Sequence, residues 1–240
     1  MKRIALLLFA SLTILLSSCG KDPQPDPIQF SILGDSYSAF KGYVDPSSND
    51  IWYDTIPNDY SDVNSVEQMW WYKVANEMGW ELDKNNSFSG SLICNFWGYN
   101  AGPYYSPHSF IRRMDDLGNP DVILVFGGIN DVLSGAWYSD YVYADWTESQ
   151  LEYYRPALAY LFDGLQQRYP EAKIYFLVDM WLYDYDPEGQ RFVESVHTIA
   201  RHYGIGCFDL YDIHKEWGHP TAQGMVDIAS QVVSALKEAY

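Results

Sequence analysis

Positive charge is scarce in this chain. Lys and Arg number 15 against 32 Asp and Glu, a net charge of −17 over 240 residues. Nucleic-acid recognition needs clustered Lys and Arg to meet phosphates, so that class of partner is excluded. An anionic surface also repels anionic polymers and suits neutral or weakly charged substrates. Cysteine is rare, with three in the chain, too few for a disulfide scaffold. Cys94 and Cys207 stand far apart in unrelated contexts, which leaves a pairing and two buried free thiols both open. No apolar run reaches the roughly 20 residues of a membrane span. Several motifs are absent as well. Without Gly-x-Ser-x-Gly there is no strained nucleophile elbow of the α/β-hydrolase kind. Without Gly-x-Gly-x-x-Gly, a P-loop or His-Glu-x-x-His, dinucleotide, nucleotide and zinc-protease sites have no signature.

Apolar residues make up 48% of the chain and charged residues 20%, enough to bury a core and unlike a disordered segment. The first residues read as a targeting signal. Lys2 and Arg3 precede an apolar stretch from Ile4 to Leu16, and Leu16-Ser17-Ser18-Cys19 follows. That pattern resembles a bacterial lipoprotein signal peptide, residues 1–18, cleaved before Cys19 with lipid added to its thiol. Residues 19–27, rich in proline, read as a tether, because proline blocks both helix and sheet. The expected location is the cell envelope, at the periplasmic face or outer surface, with the membrane reached only through the lipid on Cys19.

From residue 28 to 240 apolar strands alternate with amphipathic helices. Strands are expected at Ile28–Leu33, Trp80–Phe88, Asp121–Phe126, Lys173–Val178 and Ile205–Leu210. Helices are expected at Ser65–Met78, Glu148–Arg168, Glu188–Tyr203 and Thr221–Tyr240. The alternation implies one α/β domain, a three-layer α/β/α sandwich around a five-stranded parallel sheet. Ligands in such sheets sit beyond the carboxyl ends of the strands, at a topological switch point.

Four segments at strand ends carry chemistry. Gly34-Asp35-Ser36-Tyr37-Ser38 offers a hydroxyl at a tight turn. Asn86-Ser87-Phe88-Ser89-Gly90-Ser91 offers a backbone N–H at a glycine. Gly127-Gly128-Ile129-Asn130-Asp131 offers an amide, and Glu216-Trp217-Gly218-His219-Pro220 an imidazole. Singly, each has a plain structural reading as a turn, cap or helix entry. Together they form the parts list of acyl transfer: nucleophile, oxyanion donors and base.

Their order and spacing resemble the SGNH hydrolases, or GDSL esterases, whose markers fall on Ser36, Gly90, Asn130 and His219. The chain is also similar to Bacteroides-type lipoproteins of that family, with a GDSYS block and the Trp-rich segment Glu67-Gln68-Met69-Trp70-Trp71-Tyr72. The resemblance implies a flavodoxin-like SGNH architecture and a serine esterase that needs no metal or organic cofactor. The family usually places an Asp three residues before the His. Here that position is Glu216, with Asp212 as a competing orienter and a backbone carbonyl as a third option.

Aromatic residues are dense at 17%, with 9 Trp and 21 Tyr. Many fall in segments leaving the active end of the sheet: 39–64, 96–105 and 137–146. Flat rings with polar edges suit sugar faces better than lipid tails. Tyr37, Trp97 and Trp137 are the candidate substrate contacts, although such rings also serve simply to pack long loops. The expected substrate is an O-acyl ester of carbohydrate, chiefly O-acetyl, in a glycan or another small ester. A lipase or thioesterase of the same family and a catalytically weak glycan-binding lipoprotein remain open. Oligomeric state has no signature in the sequence.

Overall fold

The apolar run Val122–Phe126 sits at the middle of a sheet with every residue buried, as a strand covered on both faces requires. The computed structural model of the chain describes residues 26–44, 49–57, 59–96 and 106–239. Its main strands are β1 (Gln29–Gly34), β2 (Glu81–Ser87), β3 (Val122–Phe126), β4 (Lys173–Asp179) and β5 (Gly206–Leu210). They pair in parallel in the order β2-β1-β3-β4-β5. The polar sequence of β2 (ELDKNNS) fits its place at an edge. Gly34 lies opposite both Ser87 and Phe126, so three strands end level and deliver their following loops to one rim. The order reverses between β1 and β3, which makes that rim the switch point.

Helices cover both faces. They are α1 (Trp70–Met78), α2 (Phe110–Arg113), α3 (Ile129–Leu133), α4 (Tyr154–Arg168), α5 (Trp181–Tyr185), α6 (Pro187–Tyr203) and α7 (Ala222–Ala239). α1 packs with α7, and α4 with α6, which gives the three layers. Two expected helices begin late. The one expected from Glu148 is a short 3-10 turn, Gln150–Glu152, followed by α4 from Tyr154. Pro156 explains the break: it has no N–H to donate and its ring collides with the carbonyl four residues back, so it fits only a first turn. The helix expected from Ser65 also divides, at Met69, whose backbone is extended between a 3-10 turn and α1. The short helices α2, α3 and α5 lack the length for a periodic pattern and were not expected.

The Trp-rich segment is core. Trp70 and Trp71 are fully buried, and their indole N–H groups donate to the Ser38 hydroxyl at 3.2 Å and carbonyl at 3.0 Å. Two large rings thereby pin the turn that follows β1. Cys94 and Cys207 are both free thiols. Among the described residues no helix is long and apolar enough to cross a membrane.

Candidate active site

Ser36 lies two residues beyond β1, 7% exposed, and His219 arrives from the opposite end of the chain. Their contact is direct: His219 Nε2 is 3.0 Å from Ser36 Oγ. His219 opens β7 (His219–Pro220), which pairs antiparallel with β6 (Lys215–Glu216). Trp217 and Gly218 turn the hairpin with φ of 52° and 78°, the left-handed pair of a type I′ turn.

That turn decides which group faces the far side of the imidazole. Nδ1 meets the Trp217 carbonyl at 3.3 Å. A carbonyl only accepts, so Nδ1 carries the proton and Nε2 is left to accept from the serine. Glu216 and Asp212, the two expected carboxylates, are both exposed and neither bonds the ring among the described residues. The carbonyl at the tip of the turn reaches the ring first, while the glutamate extends into water.

Aromatic residues hold the hairpin. Tyr37 donates its hydroxyl to the Gly218 carbonyl at 2.7 Å, and Tyr53 to that of Pro220 at 2.8 Å. Both rings meet His219 edge-on. Trp52 stacks on the imidazole with centroids 4.0 Å apart and planes 7° apart. A π face beside the ring favours its protonated form, the role a carboxylate fills elsewhere. Burial pulls the His219 pKa below the usual imidazole value, the Trp217 carbonyl opposes this, and the Lys215 charge adds to it. Lys215 is paired with Asp179 and lies over the Tyr37 ring. At neutral pH the imidazole is therefore neutral, the state a general base needs.

The oxyanion side is built differently. Asn130 stands at the start of α3, its amide 3.1 Å from the Ser91 carbonyl and 3.3 Å from Asp35 Oδ2. Gly90 adopts φ 74°, a conformation natural to glycine, and its neighbours are clamped. Asn49 bonds the Ser87 carbonyl and the Ser89 N–H at 3.0 and 2.9 Å. Asp131 accepts from the N–H groups of Ile93 at 2.9 Å and Cys94 at 3.2 Å. Among the described residues no hydrogen bond engages the N–H of Ser36 or Gly90, so both are available to a ligand oxygen.

Beneath this side lies Arg113. Its guanidinium donates to the carbonyls of Gly34 at 3.0 Å, His108 at 2.6 Å and Asn86, and to the Ser91 hydroxyl at 3.0 Å. One side chain thus ties the ends of β1 and β2 to the loop after Gly90. Burial lowers its pKa to about 9, which leaves it charged at neutral pH. Burial raises Asp35 to about 7 and Asp131 to about 6, against opposing hydrogen bonds from Tyr37 N–H and Ile93 N–H. Arg113, Asn49 and Trp52 carry no motif in the sequence, and Asp35 and Asp131, although inside the Ser36 and Asn130 blocks, have no role assigned there.

The expected substrate contacts separate. Tyr37 is 2% exposed and its hydroxyl is committed to the hairpin, so it is a packing residue here. Trp137 is exposed but lines a different cleft of ≈570 Å³ with Tyr138, Arg155 and Arg191. Trp97 and Cys19 lie outside the described residues. The described residues hold no cluster of three or more His, Cys, Asp or Glu able to bind a metal ion.

A serine hydroxyl on a neutral imidazole, beside free backbone N–H groups and an amide, can perform nucleophilic acyl transfer. Comparison with known proteins agrees on the class. The family of GDSL-like lipases and acylhydrolases matches residues 28–236. A structure assigned to the GDSL-like lipases from Bacteroides ovatus is 44% identical, covering 89% of this chain and 100% of that one, with a TM-score of 0.82. A second, from Bacteroides uniformis, is 44% identical over 88% and 96%, with a TM-score of 0.81. An acetyl xylan esterase from Butyrivibrio proteoclasticus shares the fold at 15% identity, over 90% of this chain and 65% of that one, with a TM-score of 0.55. No curated protein sequence matches. The chain belongs to the GDSL-like lipase/acylhydrolase family, a family of ester-hydrolysing enzymes.

Proposed function

We propose that this protein is a serine esterase that removes O-acyl groups, chiefly O-acetyl, from carbohydrate, acting at the bacterial cell envelope from a lipid on Cys19. The observation that carries the chemistry is the 3.0 Å contact between Ser36 Oγ and His219 Nε2. His219 removes the Ser36 proton as the hydroxyl attacks the ester carbonyl. The N–H groups of Ser36 and Gly90 receive the oxyanion, joined by the Asn130 amide as it exchanges its longer bond to Asp35 for the developing charge. His219 then gives its proton to the departing alkoxide, and water releases the acyl group by the same route in reverse. Trp52 and the Trp217 carbonyl steady the imidazolium between these steps.

The carbohydrate reading is supported by the exposed aromatic rings around the His219 hairpin and by the shared fold of the acetyl xylan esterase. Acetate release from acetylated xylan, compared with hydrolysis of a long-chain p-nitrophenyl ester, tests it. The expected result is a clear preference for the acetylated glycan. Equal or better turnover of the long chain moves the reading to a lipase. Ser36→Ala should lower activity at least roughly 10³-fold while the protein stays folded. A second reading, a glycan-binding lipoprotein with a weak site, draws on the Nδ1 contact to a carbonyl in place of a carboxylate.

A further inference from the structure

Trp217 is an unexpected residue for its position. The turn it occupies requires φ of 52°, where Asn, Asp or Gly is the usual choice and a bulky side chain is strained. Its side chain is 70% exposed, so packing does not repay that strain. Strain kept at such a point directs attention to function. Tyr60, 56% exposed, stands edge-on to Trp217 at 5.6 Å and 86°. The two rings form a corner, one a floor and the other a wall. Tyr60 also lies 6.4 Å from Trp52, which itself stacks on His219. A continuous line of rings therefore runs from the catalytic imidazole to the corner.

The chemistry fixes which half of an ester this line can meet. The proton that His219 takes from Ser36 goes to the leaving oxygen, so the alcohol half must lie within hydrogen-bond reach of Nε2. The acyl carbon meets Ser36 Oγ, and its carbonyl oxygen turns toward Gly90 and Asn130 instead. We propose that Trp217 and Tyr60 form the subsite for the alcohol half of the substrate, and that its occupant is a neutral sugar ring with its C–H face on the indole. This rests on the esterase reading above and adds to it the side of the site and the charge of the sugar.

Charge narrows the occupant. Asp50, Ile51, Trp52 and Tyr60 line a small open hollow of ≈150 Å³ that shares Tyr60 with the corner. The Asp50 side chain can accept from sugar hydroxyls there. Asp59 and Glu216, both exposed, adjoin Tyr60 and Trp217 in sequence. A carboxylate on the sugar would face like charges, so a neutral pentose or hexose fits and a uronate does not.

The test compares kcat/KM for an acetylated xylo-oligosaccharide and for ethyl acetate, whose alcohol is too small to reach the corner. In Tyr60→Ala and Trp217→Leu the ratio of the two should fall by about tenfold or more, mainly through KM. Trp217→Phe should restore it. A ratio within about twofold of wild type in both variants overturns the subsite. Calorimetric binding of unacetylated xylotriose and of trigalacturonate to the full mature protein separates this from the esterase reading. If no ester is cleaved yet xylotriose binds and the variants weaken it, the subsite stands and the esterase reading falls. If trigalacturonate binds as well as xylotriose, the neutral-sugar assignment is wrong. If esters are not cleaved and xylotriose does not bind, both fall.

Discussion

The two halves of the site are held by different forces. Around Ser36, Gly90 and Asn130 the scaffold is polar: Arg113 gathers acceptors on Gly34, Asn86, Ser91 and His108, and Asp35 and Asp131 accept from backbone and amide N–H groups. Around His219 the scaffold is aromatic: two phenol hydroxyls tie down the hairpin and an indole covers the ring. A hydrogen-bond network around buried polar groups fails steeply when one member is lost, because the remaining groups stay buried without partners. An aromatic cradle fails gradually, since its contacts are many and individually small. The oxyanion side should therefore respond sharply to substitution, and the base side in proportion to the surface removed.

Arg113→Met strikes the polar half hardest. It strips donors from the Gly34, Asn86 and His108 carbonyls and a counter-charge from Asp35. Urea unfolding should show a loss of about 3–5 kcal/mol. Asn130→Ala should leave KM nearly constant and lower kcat by about 10²–10³, the usual effect of losing one oxyanion donor. Trp52→Leu keeps an apolar cover on His219 but removes the π face. Steady-state kinetics should show a drop of about tenfold in kcat/KM, partly restored by Trp52→Phe.

The pH profile sharpens the contrast. Because the folded protein lowers the His219 pKa, the neutral base persists below the ordinary imidazole range. The acid limb of kcat/KM should therefore fall off below about pH 6.5. Trp52→Leu should move that limb lower still, since the imidazolium loses its stacking partner. The smallest effect belongs to Glu216→Gln, which should change kcat/KM by less than about twofold, because Nδ1 rests on the Trp217 carbonyl. A large loss in Glu216→Gln would show that the side chain swings onto the ring during turnover.

What the sequence discloses follows the same division. The five strands and the residues at their ends are legible because apolar runs and short blocks are local signals. Ser36, Asn130 and His219 each stand where a strand or turn must place them. The supporting residues are not legible, because their roles arise only when distant segments meet. Arg113 follows Arg112 in an ordinary basic pair, yet one is half-buried and bonds the Gly34 carbonyl while the other reaches solvent toward Glu148. Trp52 and Asn49 belong to a long loop with no periodicity. Glu216 was expected from a family spacing, but the hairpin supplies a carbonyl closer than its side chain. Tyr37 was expected to meet substrate and instead spends its hydroxyl on Gly218.

A fluorophosphonate probe followed by peptide mapping of the whole protein tests most directly whether His219 activates Ser36 for attack. An adduct on Ser36 that is nearly abolished in His219→Ala is expected. An unlabelled Ser36 in the folded protein, or labelling that persists without the imidazole, would contradict it.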